Sequence, residues 1–214
     1  MTQDAQSGET PRSHKLLEII AVLLLGITTV GTAWCGYQAS QWNGAQSDLA
    51  RESSDDRVEA SRLFGPATQK VAYDSNIIVN YAIAAQQGND KLTEFYRKTL
   101  VRPDFAPILD RWIAEVRAGG TPTGLYADTA YLDQQFGDYR AAVDKAEKAT
   151  QASQVAAATA NAYVVTTILL AVALFFAGVT SSFKYVPARV FLLILALGTV
   201  AVAASRLADL PVIW

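Results

Sequence analysis

Three runs of apolar residues restrict this chain more than anything else in it. They are LLEIIAVLLLGITTVGTAWCGY at 16–37, AYVVTTILLAVALFFAGVT at 162–180 and VFLLILALGTVAVAAS at 190–205. A helix crosses the hydrocarbon core of a bilayer in roughly 17–25 residues, so the first two fit directly. The third is short, but Arg189 and Arg206 flank it with side chains long enough to reach the headgroups. The expectation is an all-α integral membrane protein with three transmembrane helices. Its segments are a disordered cytoplasmic tail at 1–15, spans at 16–37, 161–181 and 190–206, a turn at 182–189 and a short tail at 207–214. A helical domain at 38–160, inserted between the first and second spans, completes it. The first run is longer than a usual signal core and Thr32-Ala33-Trp34 is a poor cleavage site, so it reads as an uncleaved anchor.

Lys and Arg next to the spans set orientation. Arg12 and Lys15 precede the first span, and Lys184 and Arg189 lie between the second and third. Placing both groups in the cytoplasm puts 38–160 outside, with Arg206 the dissenting charge. Trp34, Tyr37, Trp42 and Trp214 suit a headgroup-level aromatic belt. Glu18 and Thr29 are a candidate intramembrane polar site, although Glu18 also stands three positions after Lys15 and pairs with it in the plainer reading. Two small-residue faces, Gly26, Thr29, Ala33, Gly36 and Gly198, Ala201, Ala204, suit close helix packing.

Between the first two spans the patterning is helical. No proline follows Trp34 until Pro66, so the first span continues as a stalk until Gly65-Pro66, where a kink or restart is expected. Phe64, Ala67, Val71, Ile78, Tyr81 and Ala85 then recur mostly at three-four spacing. Asp74 falls inside that stripe, as a carboxylate bonded to a neighbouring helix or as a ligand site. Gly88-Asn89 reads as a turn, DKLTEFYRKTL as a short helix, and Phe105, Ile108, Leu109, Trp112, Ile113 and Val116 as an amphipathic stripe ended by Gly119-Gly120. From Tyr131 a helical pattern runs without proline into the second span, making a second, antiparallel stalk whose Ala/Ser face meets Ala45, Ala50, Ser53 and Ala60.

Chemistry is sparse. A net charge of −2 gives no field for nucleic acid. One Cys and one His leave no common metal set and no internal disulfide, and no cofactor is expected. The carboxylates between the spans, Asp104, Asp128, Asp133 and Asp138 among them, alternate with Arg and Lys as on a solvated helix face. No nucleophile, zinc or phosphate-loop motif occurs, so catalysis is not expected. The leading expectation is a non-enzymatic membrane scaffold, sensor or accessory subunit, with the bilayer, copies of itself or another membrane protein as partners. The alternative is a homo-oligomeric channel or transporter, which needs Glu18 and the span threonines to line a pore.

Three segments carry a resemblance: GTAWCGYQASQWNGAQ at 31–46, FYRKTLVRPDFAPILDRWI at 95–113 and ANAYVVTTILLAVALFFAGV at 160–179. Together they resemble an uncharacterised family of bacterial three-span membrane proteins. Arg102-Pro103-Asp104-Phe105 resembles that family's Arg-Pro-acid-Phe signature, which implies a fixed turn into an amphipathic helix. The resemblance implies a bacterial cytoplasmic (inner) membrane location and supplies no activity.

Overall fold

A computed structural model describes residues 11–183 and 185–214, with side chains from Lys15 onward. Residues 1–10 of the expected tail, Lys184, and the side chains of Arg12 and His14 lie outside the described residues. Among the described residues the chain is helical with no strands. Its α-helices are α1 (Pro11–Gln86), α2 (Asp90–Phe95), α3 (Ala106–Arg117), α4 (Thr129–Thr180) and α5 (Val186–Ala208). A π-helical turn, Tyr96–Leu100, follows α2, and a 3-10 turn, Leu125–Ala127, precedes α4. α1, α4 and α5 are each long and apolar enough to cross a membrane.

α1 is already helical at Pro11, the first described residue, so residues 11–15 of the segment expected as a disordered tail are helical instead. It also runs through Gly65-Pro66 with no restart. Pro66 forfeits one backbone bond, but the Ala60, Ala67 and Val71 face stays buried on both sides of it, and that packing holds the helix.

The chain divides into two compact units: residues 1–50 with 151–214, and residues 51–150. In the first unit α1, α4 and α5 form an up-down-up bundle. Leu24 packs with Ala177 and Ala196, while Cys35 and Ala39 pack with Tyr163, Leu170 and Ala203. The faces in contact are not the expected small-residue faces. Gly26, Thr29, Ala33 and Gly36 are exposed, as are Gly198, Ala201 and Ala204. The buried stripe of α1 is Ala21, Leu24, Thr28, Cys35 and Ala39 instead. Gly31 admits the close approach, since a Cβ there would stand 3.2 Å from a methyl of Leu170.

The second unit holds the end of α1, helices α2 and α3, and the start of α4. Its core is Val71, Phe105, Leu109, Trp112, Leu125 and Tyr131. Ser53 joins α1 to α4 by donating to the Ala146 carbonyl at 3.0 Å and meeting the Thr150 hydroxyl at 2.7 Å. Ala60 is buried there, whereas Ala50 is exposed and takes no part in such a face. The turns follow from glycine: Gly88 and Gly119, with φ of +66° and +82°, end α1 and α3 in left-handed conformations that other residues resist.

Candidate functional site

Asp74 lies within the α1 stripe because three-four spacing carries it inward with Val71 and Ile78. Its carboxylate is wholly buried. Such a group must be paired and fully bonded to be tolerated. Arg102 supplies the pair in bidentate fashion, donating from Nε to Oδ1 at 3.0 Å and from Nη2 to Oδ2 at 2.6 Å. Tyr131, the third residue of α4 and also wholly buried, donates its hydroxyl to Oδ2 at 2.7 Å. Arg102 spends a further donor on Asp104 at 2.8 Å.

The segment from Arg102 to Phe105 is a tight turn. Both Phe105 N and Ala106 N donate to the Arg102 carbonyl at 3.0 Å. That turn aims the guanidinium back at α1 and drops Phe105 into the core, where its ring meets the edge of Tyr131 at 5.6 Å. A fixed turn before an amphipathic helix is the expected arrangement. The partner of Arg102, 28 residues earlier in the chain, is the part that the sequence did not announce.

The electrostatics follow. Arg102 is held more firmly protonated than usual, chiefly by its hydrogen bond to Asp74. Burial, then the adjacent Asp74 carboxylate, pushes the Tyr131 phenol far above the ordinary tyrosine range. Unfolded tyrosine ionises near pH ~10. Above that pH the unfolded chain sheds a proton that the folded chain keeps, so unfolding is favoured as pH rises. The second unit is therefore expected to lose stability steeply above pH ~10. Tyr131→Phe should flatten that alkaline limb while lowering stability at neutral pH. Thermal unfolding of both forms against pH checks it, and parallel alkaline limbs would contradict it.

Two of the carboxylates expected on a solvated face have structural partners. Asp128 is buried and caps α4, accepting from Tyr131 N at 3.1 Å, while Arg111 of α3 holds its other oxygen. Asp104 is engaged by Arg102, as above. Asp133 pairs with Arg140 at an exposed position, as expected of that face.

Beside this cluster, and still within 51–150, lies an open cavity of about 540 Å³. α1 lines it with Ile78, Tyr81, Ala82 and Ala85, and α3 with Leu109, Trp112, Ile113 and Val116. Only two of its lining residues, Gln86 and Arg117, carry an amide or a charged group. The α3 stripe was legible in the sequence. That only Leu109 and Trp112 of α3 are buried, leaving Val116 more than half exposed, was not.

The predicted belt aromatics lie in the first unit. Trp34 stacks obliquely near Tyr37 and Trp214, each with ring centroids 5.9 Å away. Trp42 donates its indole N–H to the Pro211 carbonyl at 3.0 Å. The same carbonyl accepts from Tyr163 at 3.0 Å. Gln38, wholly buried, exchanges two hydrogen bonds with the Ile213 backbone at 2.9 and 3.0 Å. The segment expected as a plain tail is thus strapped along α1, and Trp214 remains 94% exposed. Gln38 was the missed residue; an amide within a run of aromatics is its only sequence signal.

Glu18 and Thr29 are both exposed on α1, and the structure does not bring them together. Eleven residues of helix separate them by about 16 Å along the axis. The Thr29 hydroxyl donates to its own helix at Leu25, as those of Thr28, Thr166 and Thr180 do to theirs.

No family model, curated protein or solved structure matches this chain. What the chain does must therefore be read from its own groups. Among the described residues no three His, Cys, Asp or Glu side chains gather as a metal site requires. Asp74 has its oxygens committed to Arg102 and Tyr131 and no surface to offer a substrate. The apolar cavity, by contrast, is open to another molecule.

Proposed function

We propose that the chain is a three-span protein of the bacterial cytoplasmic membrane and acts as a non-enzymatic sensor or accessory subunit through residues 51–150. On this reading its N-terminus is cytoplasmic and that unit is extracytoplasmic, inserted between the first and second spans. One observation carries it: the second unit holds a sizeable apolar cavity, while Asp74, Arg102 and Tyr131 satisfy one another. Pockets of about 300–1,000 Å³ lined by apolar and aromatic residues are where proteins hold small ligands. The exposed Gly26, Thr29, Ala33 and Gly36 face of α1 supports association with a second copy or another membrane protein.

Labelling from outside the cell tests the placement. In a Cys35→Ser background, Thr123→Cys is expected to react with an impermeant thiol reagent and Ser182→Cys is not. Reaction at 182 alone would reverse the orientation. Native mass of the gently extracted protein, with its co-purifying chains identified, then decides the role. A stoichiometric partner supports an accessory subunit, and a closed homo-oligomer without one favours a channel.

A further inference from the structure

The cavity in the second unit has a shape and a charge that narrow its occupant. Its α1 wall runs from Ile78 to Gln86 and its α3 wall from Leu109 to Arg117. Each wall spans eight helical rises, about 12 Å, so it is a strip rather than a patch. The deepest residues, Leu109 and Trp112, are almost wholly buried, whereas Val116 is more than half exposed. An apolar strip of this kind left open to water favours an occupant that covers it.

Arg117 sets the polarity of the mouth. Other guanidiniums of the unit are committed: Arg97 to Asp110 at 2.8 Å, Arg111 to Asp128, Arg102 to Asp74. Arg117 has no carboxylate partner among the described residues. A basic residue in a helix's last turn also has a local use, against the free carbonyls and the dipole there. Here three of the last four carbonyls already accept a backbone N–H. Ala118 N donates to the Ala114 carbonyl, Gly119 N to Val116 and Gly120 N to Glu115, at 3.1, 3.0 and 2.9 Å. The Arg117 and Gln86 side chains both line the cavity, so a guanidinium and an amide are donors within reach of a ligand held there.

We infer that this trough binds a single-chain anionic amphiphile, a fatty carboxylate whose alkyl chain lies along the α1 and α3 strips and whose head pairs with Arg117. A cationic amphiphile would meet Arg117 with the wrong sign. The inference deepens the sensor reading by naming its ligand class, and it rests on residues 51–150 being the recognition unit.

Equilibrium dialysis of radiolabelled decanoate tests it, on the full chain held in an amphipathic polymer, with protein-free polymer as blank. The parent is expected to show one saturable site per chain. Ala85→Trp, which fills the trough, should abolish that site. Arg117→Glu should weaken it about tenfold or more, the scale of a lost charge-assisted hydrogen bond. Arg117→Gln, which keeps the side chain's shape, should fall between. Decyltrimethylammonium should show the reverse order, binding the Glu variant better than the parent.

Absence of a saturable site in the parent would overturn the inference. So would equal decanoate affinity in the parent and Arg117→Glu, or undiminished binding in Ala85→Trp. A photoreactive residue at Val116 that captures a protein chain in native membranes, in place of an amphiphile, would overturn it too. Those failures leave the thiol-labelling and native-mass results standing, so the ligand and the membrane placement are judged apart.

Discussion

Replacing Arg102 with methionine is expected to destabilise residues 51–150 by about 3–5 kcal/mol, the scale of an uncompensated buried charge. Asp74 has no solvent-exposed surface, and of its three hydrogen bonds two come from Arg102. Methionine fills most of the volume and supplies neither the donors nor the charge. Tyr131 then offers a single hydroxyl against a full negative charge. The counter-experiment is the double variant Asp74→Leu with Arg102→Met. Replacing both partners by apolar groups is often near neutral, so it should recover most of the loss, with the orphaned Tyr131 hydroxyl the remaining cost. Amide exchange on the full chain reads both, with protection lost between 51 and 150 and kept elsewhere. A single variant within about 1 kcal/mol of the parent would mean that water reaches Asp74 and the pair behaves as a surface one.

How much of this was legible in the sequence depends on the range of the interaction. The helices were, because three-four periodicity and apolar length are local signals. So were the stop of α3 at Gly119 and the turn at Arg102-Pro103. The choice of face inside an apolar helix was not. In α1 the set Gly26, Thr29, Ala33, Gly36 and the set Ala21, Leu24, Thr28, Cys35 obey the same spacing. Where both faces are apolar, only the neighbouring helices decide which is covered, and they cover the second. Asp74 was recognised as out of place in its stripe, but its partner is set by topology. The 175-residue reach from Gln38 to Ile213 is likewise a tertiary fact without a local trace. Pro66 shows the reverse error. A strong local signal for interruption gives way to the burial of the helix face on either side.

Phe105→Ala is expected to cost a further large amount, about 3–5 kcal/mol, and to reach the cavity as well as the core. Phe105 is wholly buried, and its ring packs on Tyr131 within the cluster that contains Leu109 and Trp112. Deleting the ring removes the transfer energy of the side chain and leaves a void that Leu109 and Trp112 are placed to collapse into. Both also form the deep part of the trough. The variant should therefore bind decanoate more weakly than its remaining folded fraction accounts for, although Phe105 does not line the cavity. Phe105→Leu, which refills most of the volume, should restore binding along with stability. A double-mutant cycle with Arg102→Met adds a sharper reading. The two residues share one turn and both contact Tyr131, so their costs should couple by more than the ~0.5 kcal/mol seen for independent sites. Additive costs would mean that ion pair and ring hold α3 independently, and that the turn at 102–105 does not act as one piece.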